Sequence, residues 1–451
     1  MPQTHKPDFP GNDLGDQFRF WPKHNEKIYE RLENKHAWLE EKRAAAQGDG
    51  KPPATQRSEV DPLENEMILN IGPQHPATHG VLRCVVKMDG ETIEKSVLDI
   101  GYLHRGIEKL AEHKTYQEFM PYTDRMDYLS PYSNNVAWCL AVEKLADIEV
   151  PERAQWIRMI MSELARISSH CLWLGVGMMD AGAVSGFVWT FQEREEIYSI
   201  MDEVAGARFT VSHSRIGGVA NDFSPRAIEM IRDFVDTFPD RIAGWEGLLN
   251  KNRIWVERNK GVGRVTKEEA LELGLTGPNL RGSGVPYDVR RFEPYLKYDE
   301  VDFTIPVREE GDCLARYFLR LDEMKQSVRI IEQCLDRMTE GPIRSDDAKE
   351  AYPSKEEVYY SMEGMIHDFM YTDVGTVPPK GAHSYHAIEG PKGELGFYLT
   401  SDGTGRPWRV RINAPSFTNL QAMEHMLEGE MVADTVVIIG SLDPVMGEAD
   451  K

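Results

Sequence analysis

The apolar positions change period along the chain, and the changes divide it into regions. Residues 66–100 carry short apolar runs, MILNI, VLRCVVKM and ETIEKSVLDI, with Asp89-Gly90 between the last two. Short runs separated by such a pair predict strands and a hairpin. From 101 to about 260 the spacing becomes helical. Pro151 stands at the first turn of a long helix, whose buried stripe is Ile157, Ile160, Met161, Leu164 and Ile167. A second long helix is predicted over 313–339, with Phe318, Leu321, Val328, Ile331 and Leu335 inside. Between them, 260–310 is rich in Gly and Pro. Its GVGRVTKEE lacks the third glycine of a dinucleotide fingerprint, whereas Thr266 with Glu269 forms a capping-box pattern. Residues 385–413 predict a β-meander turning at GPKG and DGTG, and the tail reads as a strand or a short helix ending near Asp443-Pro444. Residues 1–65 read as an extension: an amphipathic helix near 24–47 on Ile28, Leu32, Trp38 and Leu39, then a polar linker. The sum is an α+β fold, a central bundle of long helices with small peripheral antiparallel sheets. Its parts are a hairpin region at 66–100, a helical core at 101–340 and a C-terminal α+β region at 341–451.

One stretch tests for a membrane span. Residues 171–191, CLWLGVGMMDAGAVSGFVWTF, are long enough to cross a bilayer and hold a single charge, Asp180. Gly175, Gly177, Gly182 and Gly186 and the charged flanks favour a buried core segment instead. An acid in such surroundings needs a partner or a proton, so Asp180 is a functional flag.

Charge narrows the function classes. Acids outnumber bases 74 to 52, for a net charge of -22. That opposes nucleic acid and direct docking on an anionic bilayer, so work at a membrane requires other subunits. Five scattered cysteines, none in CxxC, suggest reduced thiols and exclude the usual four-cysteine iron–sulfur cage. Residues 1–30 lack the apolar core of a signal peptide.

The candidate chemistry lies at junctions between elements, where scaffolds present functional groups. GPQHPATHGVLR (72–83) offers His75 and His79. They supply two of the three or four ligands a metal needs, with no third nearby, so a metal, a proton carrier and a constrained turn all stay open. His75 reads as structural. TDRMDYLSPYSNN adds Arg125, Asp127 and Tyr128; GYLHRGIEKL adds His104, Arg105 and Glu108; ELARISSHCLWLG adds Arg166 and His170; HSRIGG adds His213 and Arg215. Singly, each fits a structural role. A His, a Tyr and an Asp, with neither metal nor nucleophile, suit hydrogen bonding to the two oxygens of a quinone and relaying protons to it. Nearby arginines would stabilise negative charge on a redox centre that a partner must bring.

Taken together, GPQHPATHGVLR, GYLHRGIEKLAEHKTY, PYTDRMDYL, SELARISSH, RIGGV, LTGPNLRGSGVPYDVRR, PPKGAHSYHAIEGPKGELGFYLTSDG, RPWRVRINAPSF and LDPVMGEADK resemble one family over residues 66–451. It is the D-type, quinone-site subunit family of respiratory complex I, the NADH-quinone oxidoreductase, related to the large subunit of nickel–iron hydrogenases. The resemblance implies a hydrogenase-large-subunit-like fold whose metal site is vacated, since HRGIEKL and LDPVMGEADK hold no cysteine and Val445 and Met446 replace the metal-binding chemistry. It implies a pocket for quinone shared with the neighbouring iron–sulfur subunit. His79 and Tyr128 would bond the headgroup, with Asp180 paired to the histidine. Arg105, Arg125 and His170 would face the partner's four-iron four-sulfur cluster.

The same resemblance implies that NADH binds elsewhere in the complex, that this chain holds no metal, and that it is inactive alone. The implied partners are the terminal-cluster small subunit, the homologue of the C-type subunit and the membrane subunit at the quinone entry. The implied location is peripheral, on the cytoplasmic side of a bacterial inner membrane. Two alternatives remain: a relative using a ferredoxin or deazaflavin donor, and a silent assembly subunit, which the retention of His79 and Tyr128 opposes.

Overall fold

The computed structural model describes residues 66–345 and 352–451. The helix and linker expected within 1–65 lie outside the described residues. Strands β1 (Glu66–Ile71), β2 (Arg83–Asp89) and β3 (Thr92–Asp99) form an antiparallel sheet in the order β1-β2-β3, turning at Asp89 and Gly90. On β2, Cys84, Val86 and Met88 join an apolar cluster with Met426, Leu427, Ile438 and Ile439. The strand therefore pairs with β1 and β3 at its edges while its apolar face packs on residues far along the chain.

Helix α1 (Pro131–Ala146) lies on the second sheet, formed by β4 (His383–Gly390), β5 (Gly393–Ser401) and β6 (Pro407–Asn413). Trp138 meets Phe397 edge-on across that contact, with ring centroids 5.4 Å apart. Helix α2 (Glu152–Asp180) is the axis of the molecule; all five residues of its expected stripe are buried. Pro151 is its N-cap, one position earlier than expected.

The apolar segment 171–191 is not one helix. Helix α2 stops at Asp180, Gly182 turns the chain at φ 91°, and α3 (Val184–Ala205) packs against α2. The glycines permit this close approach. A Cβ on Gly175 would sit 2.3 Å from Thr190 Oγ1, and one on Gly186 2.4 Å from Met178 Sδ. No helix among the described residues is long and apolar enough to cross a membrane.

Helix α4 (Pro225–Leu249) and α5 (Cys313–Arg337) complete the bundle. Asp312 caps α5 by accepting from the Ala315 amide at 2.7 Å. Leu321, Val328, Ile331 and Leu335 are buried, and Phe318 is half-buried. The Thr266–Glu269 capping box is present. The tail forms a helix, α6 (Asp434–Leu442), despite its β-branched run. Packing of Ile438 and Ile439 into the core overrides the local preference for strand.

Between the helices lies a buried ion network. Glu163 on α2 contacts Arg290 at 3.0 Å and accepts from Tyr298 and Ser327 at 2.6 Å each. Arg281 reaches Glu323 at 2.6 Å and Glu389 at 2.8 Å, and Arg290 reaches Asp288 at 2.8 Å. Burial alone would raise the Glu163 carboxyl. Arg166 and Arg290, with the two hydroxyl donors, bring it down to about 2 instead.

Candidate functional site

The loop carrying His79 closes on itself. Pro76–Thr78 make one 3-10 turn, and Thr78 Oγ1 donates to the carbonyls of His75 at 2.8 Å and Gly80 at 3.0 Å. His75 thus contributes its carbonyl to the closure. His79 sits at φ 51°, a left-handed conformation that histidine tolerates better than most residues. This aims its ring at the end of α2, where Nε2 lies 2.7 Å from Asp180 Oδ2. The side chains are 12% and 11% exposed. The lone acid of the apolar segment therefore has its partner 101 residues away in sequence.

The pair rests on α6. A Cβ on Gly440 would lie 3.4 Å from His79 Cε1 and 3.5 Å from Asp180 Oδ2, and Trp173 Nε1 donates to the Gly440 carbonyl at 2.6 Å. Residues 440–450 then run through the other candidates. A Cβ on Gly447 would meet Met126 O at 2.8 Å and the Tyr128 ring at 3.1 Å. Arg105 Nη2 donates to the carbonyls of Gly447 at 3.0 Å and Arg125 at 2.7 Å. The Asp450 carboxylate accepts from the amides of Gly101 and Leu103, at 2.9 and 2.7 Å.

Asp443, the left-handed C-cap of α6, links the two halves. Its burial raises its carboxyl, against the pull of Lys392, Arg320 and His79. Tyr128 feels it too: burial raises the phenol, the charges of Asp127 and Asp443 raise it further, and Arg105 opposes them. His79 and Tyr128 thus both act within the field of one buried carboxylate. Asp443, Lys392 and Arg320 are not among the candidate residues read from the sequence, although Lys392 stands in the turn GPKG. The segment LDPVMGEADK is the available signal for the first.

Arg105 and Arg125 are exposed, and Arg125 Nη1 donates to the Pro121 carbonyl at 2.6 Å. His170 stands elsewhere. It is wholly buried within the ion network, with Nε2 2.9 Å from Glu323 Oε2 and Nδ1 without a hydrogen-bond partner among the described residues. Burial lowers it to about 4, outweighing the Glu323 carboxylate. His213 bonds Asn221 O and Tyr132 in the core, and Glu108 holds the Ile412 amide and Arg409. Neither joins the His79 group.

Comparison with known proteins bears on the same segments. A family model described as respiratory-chain NADH dehydrogenase, 49 Kd subunit, matches residues 180–451. A D-type subunit of the NADH-quinone oxidoreductase of Chloroherpeton thalassium is 61% identical over 393 residues, covering 87% of this chain and 89% of that one. The D-type subunit of the same oxidoreductase in Geotalea uraniireducens is 51% identical over 385 residues, covering 85% and 98%. One from Rhizobium etli (strain ATCC 51251) is 52% identical over 387 residues, covering 86% and 96%. The chain therefore belongs to the 49 Kd subunit family of the respiratory-chain NADH dehydrogenase, and is one of the subunits of the oxidoreductase complex I.

Proposed function

We propose that His79, Tyr128 and Asp180 form the quinone-reduction pocket of complex I, shared with the neighbouring iron–sulfur subunit. The observation that carries this reading is the His79–Asp180 contact at 2.7 Å, set against the same C-terminal segment as Tyr128. The imidazole and the phenol are donors for the two headgroup oxygens, and the acid fixes the ring and receives its charge. The partner's four-iron four-sulfur cluster supplies the electrons, which originate from NADH bound in another subunit. Exposed Arg105 and Arg125 stabilise negative charge at that side, and His170 faces it from within the core as a neutral imidazole. The charge change at Asp180 then starts the rearrangement that couples electron transfer to proton translocation.

The proposed fold is that of the nickel–iron hydrogenase large subunit, its metal site vacated. The proposed partners are the terminal-cluster small subunit, the homologue of the C-type subunit and the membrane subunit at the quinone entry. Helix Met362–Val374 offers a surface for such contacts, with Met362 71%, Phe369 70% and Met370 62% exposed. These partners hold the chain peripherally on the cytoplasmic side of a bacterial inner membrane.

Tyr128→Phe in the assembled complex tests the pocket. Loss of the phenolic donor lowers quinone reduction by about a hundredfold. An unchanged rate with an unchanged quinone KM would overturn the reading.

A further inference from the structure

Beside Tyr128 the protein buries three carboxylates and one lysine: Asp127, Asp443, Glu448 and Lys392. Lys392 Nζ donates to Ser169 Oγ at 2.5 Å and lies 3.4 Å from Asp127 Oδ2 and 3.5 Å from Asp443 Oδ2. The third acid is left over. Among the described residues, no cation lies within salt-bridge distance of Glu448, whose Oε2 accepts from the Ser416 amide at 3.2 Å. A buried carboxylate in that position is better off neutral.

The groups facing Glu448 act in the same direction on balance. Burial raises its carboxyl most. Repulsion from Asp127 adds to that, Lys392 and the Ser416 bonds oppose it, and the carboxyl is pushed up to about 8. Lys451 faces it from the chain end. Arg194 and Arg320 both feel the charge of Asp443 in the same cluster. Glu448 also directly follows Gly447, the residue against which the Tyr128 ring packs.

We propose that Glu448 stores the proton that restores Tyr128 after the phenol has donated to the reduced quinone. The inference rests on the pocket reading above. In the first step the Tyr128 O–H bond breaks and its proton joins a quinone oxygen that has taken electrons derived from NADH. In the second, the Glu448 O–H bond breaks and the phenol O–H reforms, the proton passing by Asp127 and Lys392. Glu448 is left as a carboxylate beside Lys392 and is reprotonated from solvent. Glu448 does not touch the substrate; it acts through Tyr128.

The test is the pH profile of quinone reduction by intact complexes carrying Glu448→Gln, Glu448→Asp or Tyr128→Phe. Oxidation of NADH by a small artificial acceptor that bypasses the quinone reports assembly. The unaltered complex loses activity as pH rises through about 8. Glu448→Gln lowers quinone reduction about tenfold or more and removes that alkaline limb. Glu448→Asp keeps the limb but moves it. An unaltered rate and limb in Glu448→Gln would overturn the store while Tyr128→Phe, still impaired, keeps the pocket. Normal turnover in Tyr128→Phe overturns both. Should Glu448→Gln fail to assemble, infrared difference spectra of the unaltered complex with labelled glutamate decide. A protonated carboxyl band that bleaches on quinone reduction supports the store, and its absence rejects it.

Discussion

Two regions of this molecule bury charge, and they do it differently. In the core network, Arg281 is flanked by Glu323, Glu389 and Asp288, while Glu163 meets Arg166 and Arg290. Nearly every charge there has opposite charges and hydrogen bonds around it. Around Asp443 the matching is incomplete. Among the described residues, Asp443 Oδ2 has no hydrogen bond, Arg320 leaves Nε and Nη1 unbonded, and Glu448 lacks a cation. Saturated charges lock one packing of the helices; unsaturated ones leave capacity for a proton or a ligand. Burial of polar groups alone therefore does not mark a site, whereas burial with unused bonding capacity does.

The largest way to break this contrast is Arg281→Met. It strips Glu323 and Glu389 of their closest cation, which costs on the order of 3–5 kcal/mol. The expected result is a subunit that unfolds early or fails to enter the complex, read by thermal unfolding and by complex yield. A stable variant would show that the network is not what holds α2, α5 and the second sheet together.

Asp180→Asn should separate the regions from the other side. The amide keeps the shape of the acid and can still meet His79, so stability should shift by only about 1 kcal/mol. Quinone reduction should fall about tenfold or more, because the imidazole loses its charged partner. A large loss of stability with little loss of turnover would place Asp180 among the structural ions.

The smallest effect concerns His170. Its folded-state value is about 4, against 6.5 for an ordinary histidine. Between those values the unfolded chain binds the proton and the folded one does not, so stability falls as pH drops from 6.5 toward 4 and is fully present above 6.5. His170→Gln should flatten that acid limb in unfolding curves recorded across this range. An unchanged slope would mean that His170 takes up its proton inside the fold.

Much of this is legible in the sequence, for identifiable reasons. The stripe on α2, the capping box at Thr266 and the meander after His383 are local patterns, and local patterns survive folding. The apolar stretch 171–191 is core only in part: Gly175 and Gly186 let α2 pack closely on α3, but Val184, Val188 and Trp189 on α3 are exposed, which the expected buried segment does not anticipate. The tail is ambiguous because Val436, Val437, Ile438 and Ile439 favour a strand while their neighbours in the core select a helix. Resemblance groups His170 with Arg105 and Arg125, yet it shares a buried network with Glu323, 153 residues away. Glu448 and Lys392 lie inside the strings LDPVMGEADK and EGPKGELG, but their spacing alone does not point to a shared role.

By itself, the sequence determined the periods, the caps, the family and the residue types able to serve a quinone, because each depends on neighbours within a few turns or on a distinctive string. Which acid meets which base was decided by the tertiary structure alone. The pairing of His79 with Asp180, and the lack of a salt-bridge partner for Glu448 among the described residues, depend on where residues 440–450 thread between the helix ends. That route is set by burial of Ile438, Ile439 and Met446 against the first sheet, a long-range packing energy that no local stretch contains.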